Sequence, residues 1–394
     1  MSANQNAVVA GHICLDIIPR LNEMSAEDFR AAFQPGQVIE IGPATLSPAG
    51  AVANTGLALH RLGIPTRLVG KVGDDLFGRA VLDLVRSFGE HLAEGMVVDP
   101  QATTSYTLVI SPPGADRFFF HDAGANQTFG VNDIDFEALQ GVDLFHFGYP
   151  PVLKRMYADG GGELRQVFER AKAAGVTTSL DMCLPDPNAP SGKADWRRIL
   201  RQALPFVDVF LPSVDELLFM LHRDIYEQLK AKSPRGDIQD SVTPALLSGL
   251  STQLLEMGAK IILLKLGERG AYLRTSSKTV LASIGRAAPS DPSEWADIEL
   301  WSPCFQVEVA GTTGSGDATI AGFLSALLRG LSPYEALTAA VAVGACNVEA
   351  ADGLSGLCSW EATMGRVAMG WERRPLQLDA PGWRPSFGLW EHLP

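Results

Sequence analysis

Gly311-Thr312-Thr313-Gly314-Ser315-Gly316-Asp317-Ala318-Thr319-Ile320-Ala321-Gly322-Phe323-Leu324 is a polar, glycine-rich loop that runs straight into an apolar helix. Ile320, Phe323, Leu324, Leu327 and Leu328 recur at helical spacing, which predicts a helix with one buried face. Small residues from Gly314 to Gly316 leave the first-turn N–H groups uncovered, and the helix dipole adds partial positive charge. Such a place suits a phosphate or another developing anion. A carboxylate there repels anions unless it has a different task. Asp317 is placed to take the proton of an attacking hydroxyl while the N–H groups hold a phosphoryl group in transfer. Helix capping is the simpler role for such an Asp, and the loop alone leaves both open. Gly-Lys-Ser/Thr is absent, so this is not the Walker phosphate loop, and the position of the loop in the chain does not fit the dinucleotide fingerprint.

Upstream of the loop, strands and helices alternate. Asp143 to Phe147, Val176 to Met182, Val209 to Leu211 and Ile261 to Lys265 read as strands, with helical patterns such as Glu163 to Ala174 between them. This order predicts an α/β fold with a doubly wound, mostly parallel sheet flanked by helices, and ligands at the carboxyl ends of its strands. Asp181, Ser213, Glu216, Lys265, Gly267 and Gly270 all fall at such ends. Glu216 is equally a helix N-terminal acid, and Lys265 a lysine reaching water from a strand end.

At the N-terminal side, Ala7 to Ile18 reads as one strand carrying Asp16 between Leu15 and Ile17, either at a site or at a wet edge. Ser47 to Thr55 opens a helix that should end near Leu62, with Gly63 as its stop. Asn54 lies inside that helix, where its propensity is poor. Thr103 to Ile110 and Arg117 to Asp122 alternate around Pro112 to Asp116 and predict a hairpin in a separate small sheet. On it Arg117 and His121 face either a pocket or water. Leu21 to Gln37, His222 to Thr243 and Ser276 to Ser302 look like insertions, the last before a strand at Phe305 to Val309. Ser332-Pro333-Tyr334-Glu335 starts a tightly packing helix to about Ala350. The tail from 360 to 394 carries Trp360, Trp371, Trp383 and Trp390 and should lie over the body or a partner, because four exposed tryptophans are an apolar liability.

Composition bounds the function. A chain of 394 residues, 46% hydrophobic and 20% charged, is an ordinary globular protein. A net charge of −13 argues against nucleic acid or an anionic membrane as the main partner. Cys14, Cys183, Cys304, Cys346 and Cys358 are odd in number and scattered, as free thiols in a reducing compartment would be. Met1 to Asn6 is polar, unlike a secretory leader, and no apolar run reaches the roughly 20 residues of a membrane helix, so the expected location is the cytoplasm.

Gly311 to Leu324 resembles the C-terminal motif of the ribokinase-like carbohydrate kinases, the PfkB family, whose usual form is Asp-Thr-x-Gly-Ala-Gly-Asp. Gly11 and Asp16 fit its Gly-x-x-x-x-Asp pattern. Gly50 and Asn54 fit its N-terminal motif, with Ala49 replacing a glycine. Gly70, Val72, Gly73, Asp75 and Gly78 match a recurring pattern read as structural, with Asp75 a helix cap. Gly124-Ala125-Asn126 and Lys265-Leu266-Gly267-Glu268-Arg269-Gly270 also recur there, and Ser213 to Glu216 stands where the family has Asn-x-x-Glu. The resemblance spans about Ala7 to Leu357. It implies a single ribokinase-like domain over 1–394, with lid strands within about 7–55 and 101–123. It also implies an ATP- and Mg2+-dependent kinase of a sugar or sugar-like molecule. Asp317 would be the base and Gly314, Ser315 and Gly316 the anion hole. Asp16, Gly50, Asn54 and Asn126 would hold substrate. Lys265, Gly267, Gly270, Thr312 and Asn347 would line the nucleotide, and Glu216 would act on the metal through water. Gly311 replaces the family's leading Asp, which helps shape a monovalent-cation site, so potassium activation is not carried over. Lid-to-lid homodimers are frequent in the family. A nucleoside kinase on the same fold, or a silent sugar- or nucleotide-binding regulator, is the alternative.

Overall fold

The computed structural model describes residues 5–21, 26–32, 34–111, 118–233 and 238–393. The strands, in chain order, are β1 Ala7–Gly11, β2 Cys14–Pro19, β3 Ala44–Ala49, β4 Thr66–Val69, β5 Lys71–Gly73, β6 Val97–Asp99, β7 Tyr106–Ile110 and β8 Phe118–Asp122. They continue with β9 Leu144–Gly148, β10 Thr177–Leu180, β11 Val209–Phe210, β12 Ile261–Lys265, β13 Ala271–Thr275, β14 Glu299–Ser302, β15 Trp383–Ser386 and β16 Leu389–His392. A ten-stranded sheet has the order β15-β16-β14-β13-β12-β11-β10-β9-β1-β4. From β4 to β12 every pairing is parallel, and from β12 to β15 every pairing is antiparallel. A four-stranded sheet, β3-β2-β7-β8, stands apart, and β5 pairs with β6.

The inner parallel strands β1, β9, β10 and β11 are buried throughout, as strands of a sheet covered on both faces are. In β12, Ile261 and Leu263 enter one core and Ile262 and Leu264 the other. Lys265 then emerges at the carboxyl end. The helix Ser315–Leu328 departs from the one-faced expectation: Ile320 through Leu328 are all buried. It lies in the same core as the helices Ala51–Arg61 and Pro333–Asn347, so little of its circumference meets water.

Two further expectations need correction, and the tail lies over the body as expected. Ala7 to Ile18 is not one strand: β1 ends at Gly11 and β2 starts at Cys14, in different sheets. The break at His12 and Ile13 carries the chain from the large sheet to the small one. Phe305 to Val309 is not a strand. Phe305 forms a single bridge to Arg373, and the antiparallel strand there is β14, inside the supposed insertion. The tryptophan-rich tail adds β15 and β16 to the large sheet, with Trp383 and Trp390 packed on its core. The Pro112–Asp116 turn, Arg117 and parts of two insertions lie outside the described residues. Asp75 is the expected cap, accepting from the Gly78 N–H at 2.7 Å.

Candidate active site

The helix Ser315–Leu328 begins at Gly314, whose φ of 70° is left-handed and open to glycine at little cost. Ser315 Oγ donates to the Thr312 carbonyl at 3.0 Å and closes the turn. Asp317 follows in the first helical turn and is only 3% exposed. Three side chains from two other elements donate to its carboxylate: Asn54 Nδ2 to Oδ2 at 3.1 Å, Thr55 Oγ1 to Oδ1 at 3.1 Å, and Tyr149 OH to Oδ2 at 2.8 Å. Asn54 and Thr55 sit in the first turns of the helix Ala51–Arg61. Tyr149 follows β9 at φ 64°, an unfavourable conformation for a bulky residue. Such strain is held where the surroundings fix it, here by Pro150 and Pro151 on one side and the bond to Asp317 on the other. Burial raises the Asp317 carboxyl above the ordinary Asp value, against the opposing pull of Lys265 and the three donors.

Lys265 stands beside this loop. A side chain at Gly316 would begin 3.5 Å from Lys265 Cδ and 3.7 Å from Nζ. The ammonium is 2.6 Å from Asp181 Oδ1, while Asp181 Oδ2 is buried without a hydrogen-bond partner among the described residues. Burial opposes the lysine's charge, but Asp181, Glu216 and Asp317 together outweigh it and hold the group above its usual range. Asp181 is pushed up by burial, with Lys265 opposing and Glu216 and Asp317 adding to the rise. Three carboxylates thus face one ammonium in a buried place. That excess of negative charge suits a cation bound through oxygen donors, as Mg2+ is. Glu216 Oε2 also accepts from the Ser213 N–H at 2.7 Å, closing a capping box. Its reading as an acid at a helix N-terminus is therefore met.

On the other side of Asp317, Gly50 precedes the helix at φ 85°, and a side chain there would begin 2.4 Å from His12 Nδ1. Register places Asp16 beside Thr107 and Thr107 beside His121, so the three share one face of the small sheet. Cys14 Sγ on the same strand lies 3.6 Å from both Asp16 Oδ1 and Thr107 Oγ1. The His12 ring is 5.2 Å from that of His121 and 6.0 Å from that of Tyr149. A continuous run of polar groups thus leads from Asp317 through Tyr149 and His12 to Asp16. Burial, then His121, keeps the His12 pKa well below the ordinary histidine value, so its imidazole is neutral.

Several expected site residues stand elsewhere in the hydrogen-bond network. Asn54, read as a substrate ligand, donates to Asp317. Asn126 is fully buried with its amide on the Ile13 backbone, donating to O at 2.8 Å and accepting from N at 3.4 Å. It fixes the His12–Ile13 crossover. Asn347 is fully buried and donates to the Gly353 carbonyl at 2.6 Å, which ties down the loop against Gly314. Gly267 and Gly270 flank the turn after β12, where a side chain at Gly270 would begin 1.9 Å from the Ser302 carbonyl. Sequence reasoning missed Tyr149, Thr55, His12 and Cys14 as site residues. Tyr149 carried a signal, a Gly-Tyr-Pro-Pro sequence at the end of a buried strand. Thr55 carried none beyond its place after Asn54.

No helix among the described residues is long and apolar enough to cross a membrane. The chain is 25% identical over 364 residues to a protein of Arabidopsis thaliana named probable fructokinase-6, chloroplastic, covering 90% of this chain and 80% of that one. Its fold matches an Arabidopsis thaliana ribokinase solved with ribose and ATP, with a TM-score of 0.66 and 18% identity, covering 92% and 98% of the two chains. It also matches an E. coli putative ribokinase II solved with ATP and Mg2+, with a TM-score of 0.64 and 21% identity over 93% and 99%. The model of the pfkB family carbohydrate kinases matches residues 4–357. With that match across nearly its whole length, the chain belongs to the pfkB family of carbohydrate kinases.

Proposed function

We propose that this chain transfers the γ-phosphoryl group of ATP to a hydroxyl of a sugar or sugar-like alcohol, with Asp317 as the general base. The observation that carries the reading is the buried Asp317 carboxylate, gripped by Asn54, Thr55 and Tyr149 at the start of a helix and next to Lys265. A carboxyl raised above the ordinary range is a better base at neutral pH than a surface Asp, because its pKa lies nearer the working pH. It takes the hydroxyl proton as the oxygen attacks. The N–H groups of Gly314, Ser315 and Gly316 meet the charge on the transferring group, and Lys265 adds a fixed positive charge beside them. Asp181 and Glu216 supply oxygen donors that fit a nucleotide-bound Mg2+ through water, and the orphaned Asp181 Oδ2 is the clearest of them. When bound, that ion offsets phosphate charge. Asp16, Gly50, His12 and His121 line the acceptor side, and the sheet of β3, β2, β7 and β8 is the lid that excludes water. Asn126 and Asn347 are positioning residues of the two flanking loops.

The experiment is nucleotide consumption with Mg-ATP across ketohexoses, pentoses, sugar acids, polyols and nucleosides. Acceptor-dependent ADP release with a sugar or polyol is expected. Release only with nucleosides, or none while ATP still raises the melting temperature, would overturn the reading.

Tyr149→Phe tests the grip on the base. Losing a donor to the charged form disfavours that form, so the Asp317 pKa rises further. A hydrogen bond to a charged group contributes about 1.5–3 kcal/mol, so the acid limb of the kcat/KM profile should move up by about one pH unit or more. The alkaline limb should stay where it is. A drop in kcat with an unmoved acid limb would mean that Tyr149 acts on the substrate and not through Asp317.

A further inference from the structure

We propose that His12, Cys14 and His121 form a binding site for a borderline-soft divalent cation of the zinc class, and that its occupation excludes the sugar. The inhibitory half rests on the function proposed above, while the binding half does not. One donor atom from each of the three side chains lies within 4.8 Å of the other two. A Zn2+ ion held at about 2.0 Å from nitrogen and 2.3 Å from sulfur spans donors up to about 4 Å apart, so a small inward turn of exposed His121 closes the set.

Two further observations point to a ligand. Both ring nitrogens of His12 are buried and have no hydrogen-bond partner among the described residues, although the residue is 95% buried at 5% exposure. Polar atoms in that condition are costly unless something bound answers them. In addition, Thr107 Oγ1 contacts His121 Nδ1 at 3.0 Å and Cys14 Sγ at 3.6 Å. One hydroxyl therefore orients two of the three donors from behind, as outer partners of metal ligands do. Two imidazoles and a thiol select zinc-class cations and disfavour Mg2+, which wants oxygen. The Mg2+ of the nucleotide and this cation would therefore occupy different ends of the site. Binding forms a Cys14 sulfur–metal bond and releases the thiol proton to solvent. The site shares His121 and Cys14 with the face that carries Asp16, so a sugar hydroxyl and the cation compete for the same place.

The test uses the full chain, stripped with chelator and titrated with Co2+ alone. A thiolate-to-cobalt charge-transfer band saturating at one equivalent, and bleached by Zn2+, is expected. Cys14→Ser should abolish the band, and His121→Gln, at an exposed position, should weaken binding about tenfold or more. Zn2+ should then raise the apparent KM for the sugar and leave that for ATP unchanged, and chelator should reverse the effect. Absence of the band, or a band unchanged in Cys14→Ser, overturns the proposal. A Cys14-dependent band in a protein that turns over no sugar supports the metal site and counts against the kinase reading. Sugar turnover with no band does the reverse.

Discussion

Asp317→Asn should lower acceptor-dependent ATP turnover about a thousandfold while the protein keeps its fold. Positioned general bases contribute about 10²–10⁴-fold, and an amide at this place cannot take a proton. Geometry does not provide a substitute. Asp181 and Glu216 are held by Lys265 and by the Ser213 cap, and no hydrogen bond ties either to the helix start proposed to hold the transferring group. Stability should behave differently from activity. The carboxyl is raised above its unfolded value, so its ionised form favours the unfolded chain, and that cost grows as pH rises through the folded pKa. Replacing it with a neutral isostere removes the cost, though the amide NH2 group then confronts the donor of Thr55 or those of Asn54 and Tyr149. The two effects oppose each other, and the melting temperature at pH 8 should move by only a few degrees. Single-turnover kinetics, circular dichroism and a thermal melt on the same preparation make the check. Activity within tenfold of the parent protein would put the base elsewhere.

The loop and its helix were legible because small residues, a lone acid and an apolar 3.6-residue period coincide within fourteen positions. The parallel sheet was legible because strand and helix patterns alternate along the chain, and Ile261 to Leu264 is a short apolar run of the kind a strand covered on both faces carries. What failed was anything set by chain crossings. Ala7 to Ile18 keeps its apolar character through His12 and Ile13, and no local signal tells that Gly11 abuts Gly148 and turns the chain toward another sheet. Asn54 and Asn126 were recognised as special polar residues, but the protein partners they have, Asp317 and the Ile13 backbone, were not foreseen. Propensity shows that an asparagine needs a reason to be inside a helix, but not whether the reason is a ligand or a residue 263 positions away. The strand β14 was hidden because its four residues lie within a polar, proline-containing stretch, and the pairing of β16 with it is settled by the tail.

Lys265→Met should be the most destabilising substitution in the site, costing about 3–5 kcal/mol, and should also abolish turnover. Among the described residues the lysine is the one ammonium facing Asp181, Glu216 and Asp317, and removing one partner of a buried pair leaves the other charge uncompensated. The pH dependence follows from the sign of the shifts. All three carboxyls are already raised by burial, and losing Lys265 raises them further. A raised folded pKa gives stability that is fully present below the unfolded value and is lost as pH rises through the folded one. The deficit of the variant should therefore be largest near pH 8 and shrink toward pH 5, where protonation relieves the repulsion. A second variant separates structure from chemistry. Lys265→Met combined with Asp181→Leu removes both members of the closest pair, and apolar replacement of such pairs is often neutral. The double variant should regain at least half of the lost stability in urea unfolding. It should remain inactive, because the positive charge beside Gly316 and the free oxygen of Asp181 are both gone. Recovery of turnover along with stability would mean that Lys265 serves the fold alone. A single variant as stable as the parent at pH 8 would mean that the three carboxylates do not share one buried field.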